Sequence, residues 1–204
     1  MKISDMYQTI SIIAFLITLA GIVLHRLVSP THKKRQGKSK KKLSIVGVLR
    51  ILVYLLALLC FVVLAVTGFY PTLVLGEHIS GYLVMIHATF APVFAVCLAV
   101  LAVMWASRCR FAYSDWPWFE RIVQWVTLAK SSSEEAPSKS SGLGQKITFW
   151  LIIFLALPLI LSIVLSMFPL FGTHWQELLL GVHRYTALVF ALVVIVHTYL
   201  VIRT

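Results

Sequence analysis

Charge is scarce in this chain. Only 12% of its 204 residues are Asp, Glu, Lys or Arg, about half the share of a soluble domain, and mean hydropathy is +0.92. That excludes a water-soluble globular enzyme and a disordered chain. Acidic residues are scarcer still, 7 against 18 basic ones. The surplus sits in loops between apolar stretches, so it reads as membrane topology rather than a nucleic-acid surface. The three cysteines, Cys60, Cys97 and Cys109, have no Cys-x-x-Cys spacing and no haem-attachment Cys-x-x-Cys-His. A disulfide framework and a c-type cytochrome are therefore not indicated. Nor is there a phosphate loop, a nucleophile triad or a paired carboxylate.

Long charge-free runs are what the sequence does have. Lys, Arg, Asp and Glu are missing from Tyr7 to Leu24, Ile51 to Gly76, His78 to Ser107, Ile147 to Gln176 and Tyr185 to Ile202. Each is long enough for the ~20 apolar residues that a bilayer span needs. The expected fold is all-α: an integral membrane bundle of five helices over 7–28, 44–69, 79–106, 147–168 and 177–203, forming one domain over 1–204. The first run is read as a retained helix, because no small-residue cleavage site follows it. Basic residues crowd the loop with Lys33, Lys34, Arg35, Lys38 and Lys40 to Lys42, and the loop from Arg108 to Lys146. The loops 70–79 and 169–175 have no Lys or Arg. The positive-inside rule puts the N-terminus outside and the C-terminus in the cytoplasm. Within the long basic loop, Trp116 to Val126 reads as a short interfacial helix, followed by a Ser-rich stretch over 131–141.

Histidines inside the spans carry the functional signal, since ionisable groups there are rare. His183 and His197 are fourteen residues apart on one helix. That is ~21 Å of rise and about 40° short of four full turns, so both rings leave nearly the same face at different depths. One metal ion cannot bridge ~21 Å, but two stacked haems can, each taking an imidazole. By depth, His87 matches His183 near the outer side and His25 matches His197 near the cytoplasmic side. The expectation is two haem b groups, with iron ligands His87 and His183, and His25 and His197. His32 is a rival to His25 in a basic loop. His78 is half a turn out of phase with His87, so His78 and His174 read as interfacial polar residues. Arg184 is a charge in the outer half of a span and needs a partner. Glu177 and an outer-haem propionate are the two candidates, the propionate being favoured. Arg26 and Arg50 suit the same role on the cytoplasmic side.

These residues resemble the cytochrome b (gamma) subunit of membrane-bound formate dehydrogenases and the related thiosulfate reductases and hydrogenases. The resemblance runs from about residue 44 to 204. It covers Val66-Thr67-Gly68-Phe69-Tyr70-Pro71-Thr72-Leu73, His87, Asp115-Trp116-Pro117-Trp118, Gly144-Gln145-Lys146 and the His183/His197 pair. It implies a four-helix dihaem core, and electron transfer between a periplasmic partner subunit, iron–sulfur or multihaem, and quinone or menaquinone. The chain would then be an electron-transfer subunit in a bacterial inner membrane rather than a self-contained enzyme. It also implies a quinone site near Gly144 and Gln145, where the family's Asn is replaced by Gly142. The family's ligand on its first core helix is missing, with Tyr54 near that position, and His25 on the extra N-terminal helix is the expected substitute. A standalone membrane cytochrome reductase and a non-redox anchor or transporter are the competing readings. No nucleic-acid partner is expected.

Overall fold

The computed structural model describes residues 3–28, 45–111, 143–168 and 172–203, and these hold helices and no strand. Five helices follow one another: α1 (Ile3–Val28), α2 (Ile45–Tyr70), α3 (Gly81–Ala106), α4 (Leu143–Ser166) and α5 (Thr173–Arg203). Each is long and apolar enough to cross a membrane. Apolar side chains such as Leu16, Ile17 and Val103 lie on the outside, as a lipid-facing bundle requires. Helix is the form that satisfies every backbone N–H and C=O without water. Pro92 and Pro158 lie inside α3 and α4 without ending either one. The interfacial helix expected at 116–126, the Ser-rich stretch and His32 lie outside the described residues.

Three helix starts lie four residues before the sequence expectation, the first being α1, which begins at Ile3 rather than at residue 7. Helix α4 begins at Leu143 and takes in Lys146, and α5 begins at Thr173 and takes in Glu177. A charge-free criterion trims helix ends, because interfacial turns accept charge while keeping their hydrogen bonds. Between α2 and α3 the chain passes through a π-helical turn, Pro71–Leu75. Gly76 closes it at φ 68°, its N–H donating to the Pro71 carbonyl. A side chain there would strain the backbone.

The bundle is two antiparallel hairpins, α2 with α3 and α4 with α5, each packed closely within itself, while α3 and α4 touch sparingly. They meet in a central layer of Cys60, Phe94, Ile152, Ala156 and Phe190, all buried. Phe61, Phe94 and Phe190 form an aromatic triangle there, with ring centroids 6.0–6.3 Å apart. Helix α1 lies beside this core. Its Gln8 Nε2 donates to the Leu73 carbonyl at 3.0 Å, and Tyr7 Oη donates to the Arg184 carbonyl at 3.1 Å.

Candidate functional site

A seven-residue register runs through three helices. On α5 it is His183, Phe190, His197; on α3 it is His87, Phe94, Leu101; on the reversed α2 it is Gly68, Phe61, Tyr54. Seven residues make nearly two turns, ~10 Å of rise. The central phenylalanines therefore have one site of His87 and His183 above them and one of Tyr54, Leu101 and His197 below.

At the outer level, the His87 ring lies against α2. Its Nδ1 is 2.9 Å from Thr67 Oγ1, and Gly68 leaves room for the ring edge. His183 faces α4, with Nδ1 2.9 Å from the Leu159 carbonyl. A carbonyl only accepts, so this nitrogen carries the proton and Nε2 keeps its lone pair. By the shared register both rings fall on the outer side of the phenylalanine layer, each with Nδ1 occupied.

At the inner level, His197 is buried, with Nδ1 2.7 Å from Thr148 Oγ1 on α4. It borders a partly open cavity of about 80 Å³. Tyr54, Phe61, Leu101, Trp105 and Phe149 are among the other walls. Apolar linings of this kind typify cofactor pockets. Tyr54 and Trp105 lie ring against ring, 5.7 Å between centroids.

His25 is not brought to that space. Its exposed ring packs on Tyr199 and Arg203, with Nδ1 2.9 Å from Tyr199 Oη and 2.6 Å from Arg203 Nη1. Tyr199 is two residues past His197, about 200° around α5. No residue of α1 lines the cavity. Arg203 can only donate, so its hydrogen bond uses a lone pair of the His25 ring. The depth match expected from the sequence holds along the helix axes, but α1 docks on another face of α5.

Arg184 also finds a partner that the sequence did not suggest. Its Nη2 donates to Nδ1 of His78 at 3.0 Å, so Arg184 is turned toward the α2–α3 connection. Glu177 and His174 are exposed near the start of α5, His174 against Trp175. Gly144 and Gln145 join α4 to α5. Gln145 Nε2 donates to the Leu200 carbonyl at 3.0 Å, and a Cβ on Gly144 would come within 3.2 Å of Leu200 Cδ1. Arg50, one turn before Tyr54, has a buried Nε without a hydrogen-bond partner among the described residues. Just past α3, burial pushes the Cys109 thiol pKa up, while nearby Lys146 pulls the other way.

Residues 47–204, more than three quarters of the chain, match the sequence profile of prokaryotic cytochrome b561. The chain belongs to the prokaryotic cytochrome b561 family. No curated protein sequence matches it. Membership in cytochrome b561 implies b-type haem and electron transfer within a membrane, and the residues present fit that group. Histidines with Nδ1 occupied stand at two levels, an apolar cavity adjoins His197, and Arg50 Nε is a buried donor without a partner among the described residues, suited to a carboxylate. Among the described residues, no three His, Cys, Asp or Glu side chains converge to hold a bare ion. The profile begins at residue 47, so α1 lies outside the matched region.

Proposed function

We propose that this cytochrome b561 is the dihaem membrane subunit of a respiratory oxidoreductase, carrying electrons between a periplasmic iron–sulfur or multihaem partner subunit and the quinone pool. The reading extends the family's coarser function along the resemblance to formate dehydrogenase gamma subunits. Its main support is the two-level histidine arrangement: His87 with His183 above the phenylalanine layer, His197 below it. His87 and His183 hold the outer haem, and His197 holds the inner one. Bound haem supplies a one-electron couple, which the protein tunes through ligation and burial. The apolar walls exclude water, and Arg50 offers its donor to an inner propionate. Arg184 is engaged with His78 and serves the outer edge of the bundle. His25 is not assigned as an inner ligand, because it is committed to Arg203 and Tyr199. The quinone assignment rests on the resemblance around Gly144 and Gln145, both of which also join α4 to α5. The distribution of basic residues between the loops supports an outside N-terminus.

Purified from membranes, the protein should give a reduced-minus-oxidised spectrum with b-type bands and about two haems per chain. A preparation without b-type bands overturns the reading. Companion subunits that co-purify and carry iron–sulfur or multihaem centres support the complex. Isolation as a homogeneous single-chain species from native membranes argues for a standalone reductase instead.

A further inference from the structure

Thr67 and Thr148 are used in the same way on two different helices. Thr67 Oγ1 donates to the Val63 carbonyl one turn back, 2.8 Å away, and faces His87 Nδ1 at 2.9 Å. Thr148 Oγ1 donates to the Gly144 carbonyl at 2.7 Å and faces His197 Nδ1 at 2.7 Å. A hydroxyl has one proton and two lone pairs. The carbonyl has no proton to offer, so the hydroxyl proton goes to it. Turning that proton toward the imidazole would leave two bare oxygens within 2.7–2.8 Å of each other. What the hydroxyl can give the ring is therefore a lone pair, and the ring must meet it with Nδ1–H. The Leu159 carbonyl imposes the same tautomer on His183. His25, approached by the donor-only Arg203, is treated in the opposite way.

We propose that Thr67 and Thr148 are positioning residues that fix His87 and His197 as Nδ1–H tautomers, presenting Nε2 to the haem irons and setting the donor strength of each ligand. The proposal rests on the dihaem reading above. An acceptor behind an imidazole N–H orients the ring and raises its basicity, as outer partners do for metal-bound histidines generally. A more basic ligand favours ferric iron, so each threonine holds the potential of its own haem down.

The test uses the purified full-length protein, potentiometric titration of the b-type bands, and electron paramagnetic resonance of the ferric haems. Thr67→Val and Thr148→Val keep the side-chain shape and remove the acceptor, while the Ser variants keep the hydroxyl. Each Val variant should raise one of the two midpoints and leave the other in place. A tenfold change in ferric-over-ferrous preference is about 59 mV for one electron. Thr67→Val should move the haem that is lost in His183→Ala, and Thr148→Val the haem lost in His197→Ala. Ser should restore the wild-type value in both cases. Haem lost in a Val variant but kept in its Ser counterpart also supports the proposal. Unchanged midpoints in Val variants that keep both haems overturn it, as does equal behaviour of Ser and Val. Wild-type protein without haem overturns the dihaem reading itself, and with it this proposal.

Discussion

Gly68 offers the sharpest test of the outer site. A Cβ there would sit 3.3 Å from Cε1 of His87 and 3.8 Å from its Nδ1. Carbon contacts are comfortable at ~3.5–4.0 Å, so a methyl asks the ring to retreat by a few tenths of an ångström. On α2, Gly→Ala gains roughly 0.8–1.0 kcal/mol of helix propensity. Pushing the ring off its preferred rotamer costs about 0.5–1.5 kcal/mol. The two nearly cancel, so Gly68→Ala should fold as stably as the wild type to within about 1 kcal/mol. The ligand does not cancel. The same displacement stretches the 2.9 Å contact with Thr67 toward the ~3.2 Å limit of a good hydrogen bond. Gly68→Ala should therefore keep both haems but shift the outer haem's resonance signal and midpoint. Gly68→Leu, whose bulk the ring cannot evade, should lose the outer haem and keep the inner one. Haem-to-protein ratio, low-temperature spectra and thermal denaturation in detergent separate ligation from stability. A Gly68→Leu protein with both haems and wild-type spectra would refute the placement of His87 against α2.

Further outcomes follow from other contacts. His87→Ala and His183→Ala should lose the same haem and His197→Ala the other, while His25→Ala should leave both in place; haem stoichiometry with spectra decides each case. Arg50→Gln, which removes a positive charge near the inner cavity, should lower one midpoint and leave the other unchanged in a redox titration. Burial raises the Cys109 thiol pKa, and because the thiolate is the nucleophile, its alkylation should be slow at neutral pH and accelerate only in alkaline buffer. Mass spectrometry of maleimide-treated protein across pH checks this, and rapid modification at pH 7 contradicts it.

The five helices were legible because lipid solvation leaves a coarse mark: long stretches without charge. Their ends were less so, since Lys146 and Glu177 lie within a few residues of the helix starts, where charge is tolerated. The pairing of His87 with His183 was an expectation from depth, which residue counting gives directly, and both rings fall on the same side of the phenylalanine layer by their register. Counting gives height but not azimuth, and that is why His25 matched His197 along the axis yet docks on Tyr199 and Arg203. Arg184 shows the same limit: its need for a partner was visible, but His78 comes from a connection whose path only the fold sets. Thr67 and Thr148 looked like ordinary hydroxyls in apolar spans. Their roles depend on which neighbouring helix each faces. One signal was missed, the seven-residue spacing shared by His87, Phe94 and Leu101, by His183, Phe190 and His197, and by Tyr54, Phe61 and Gly68.

The two hairpins are fastened to each other mainly at the waist formed by Cys60, Phe94, Ile152, Ala156 and Phe190. Nearer the inner end, Trp150 Nε1 reaches across to donate to the Cys109 carbonyl at 3.0 Å. Macrocycles seated above and below the waist would act as rivets as well as wires. On the reading proposed above, a haem gripped by His87 of one hairpin and His183 of the other would stitch the two halves together, so its loss would loosen the outer end of the bundle.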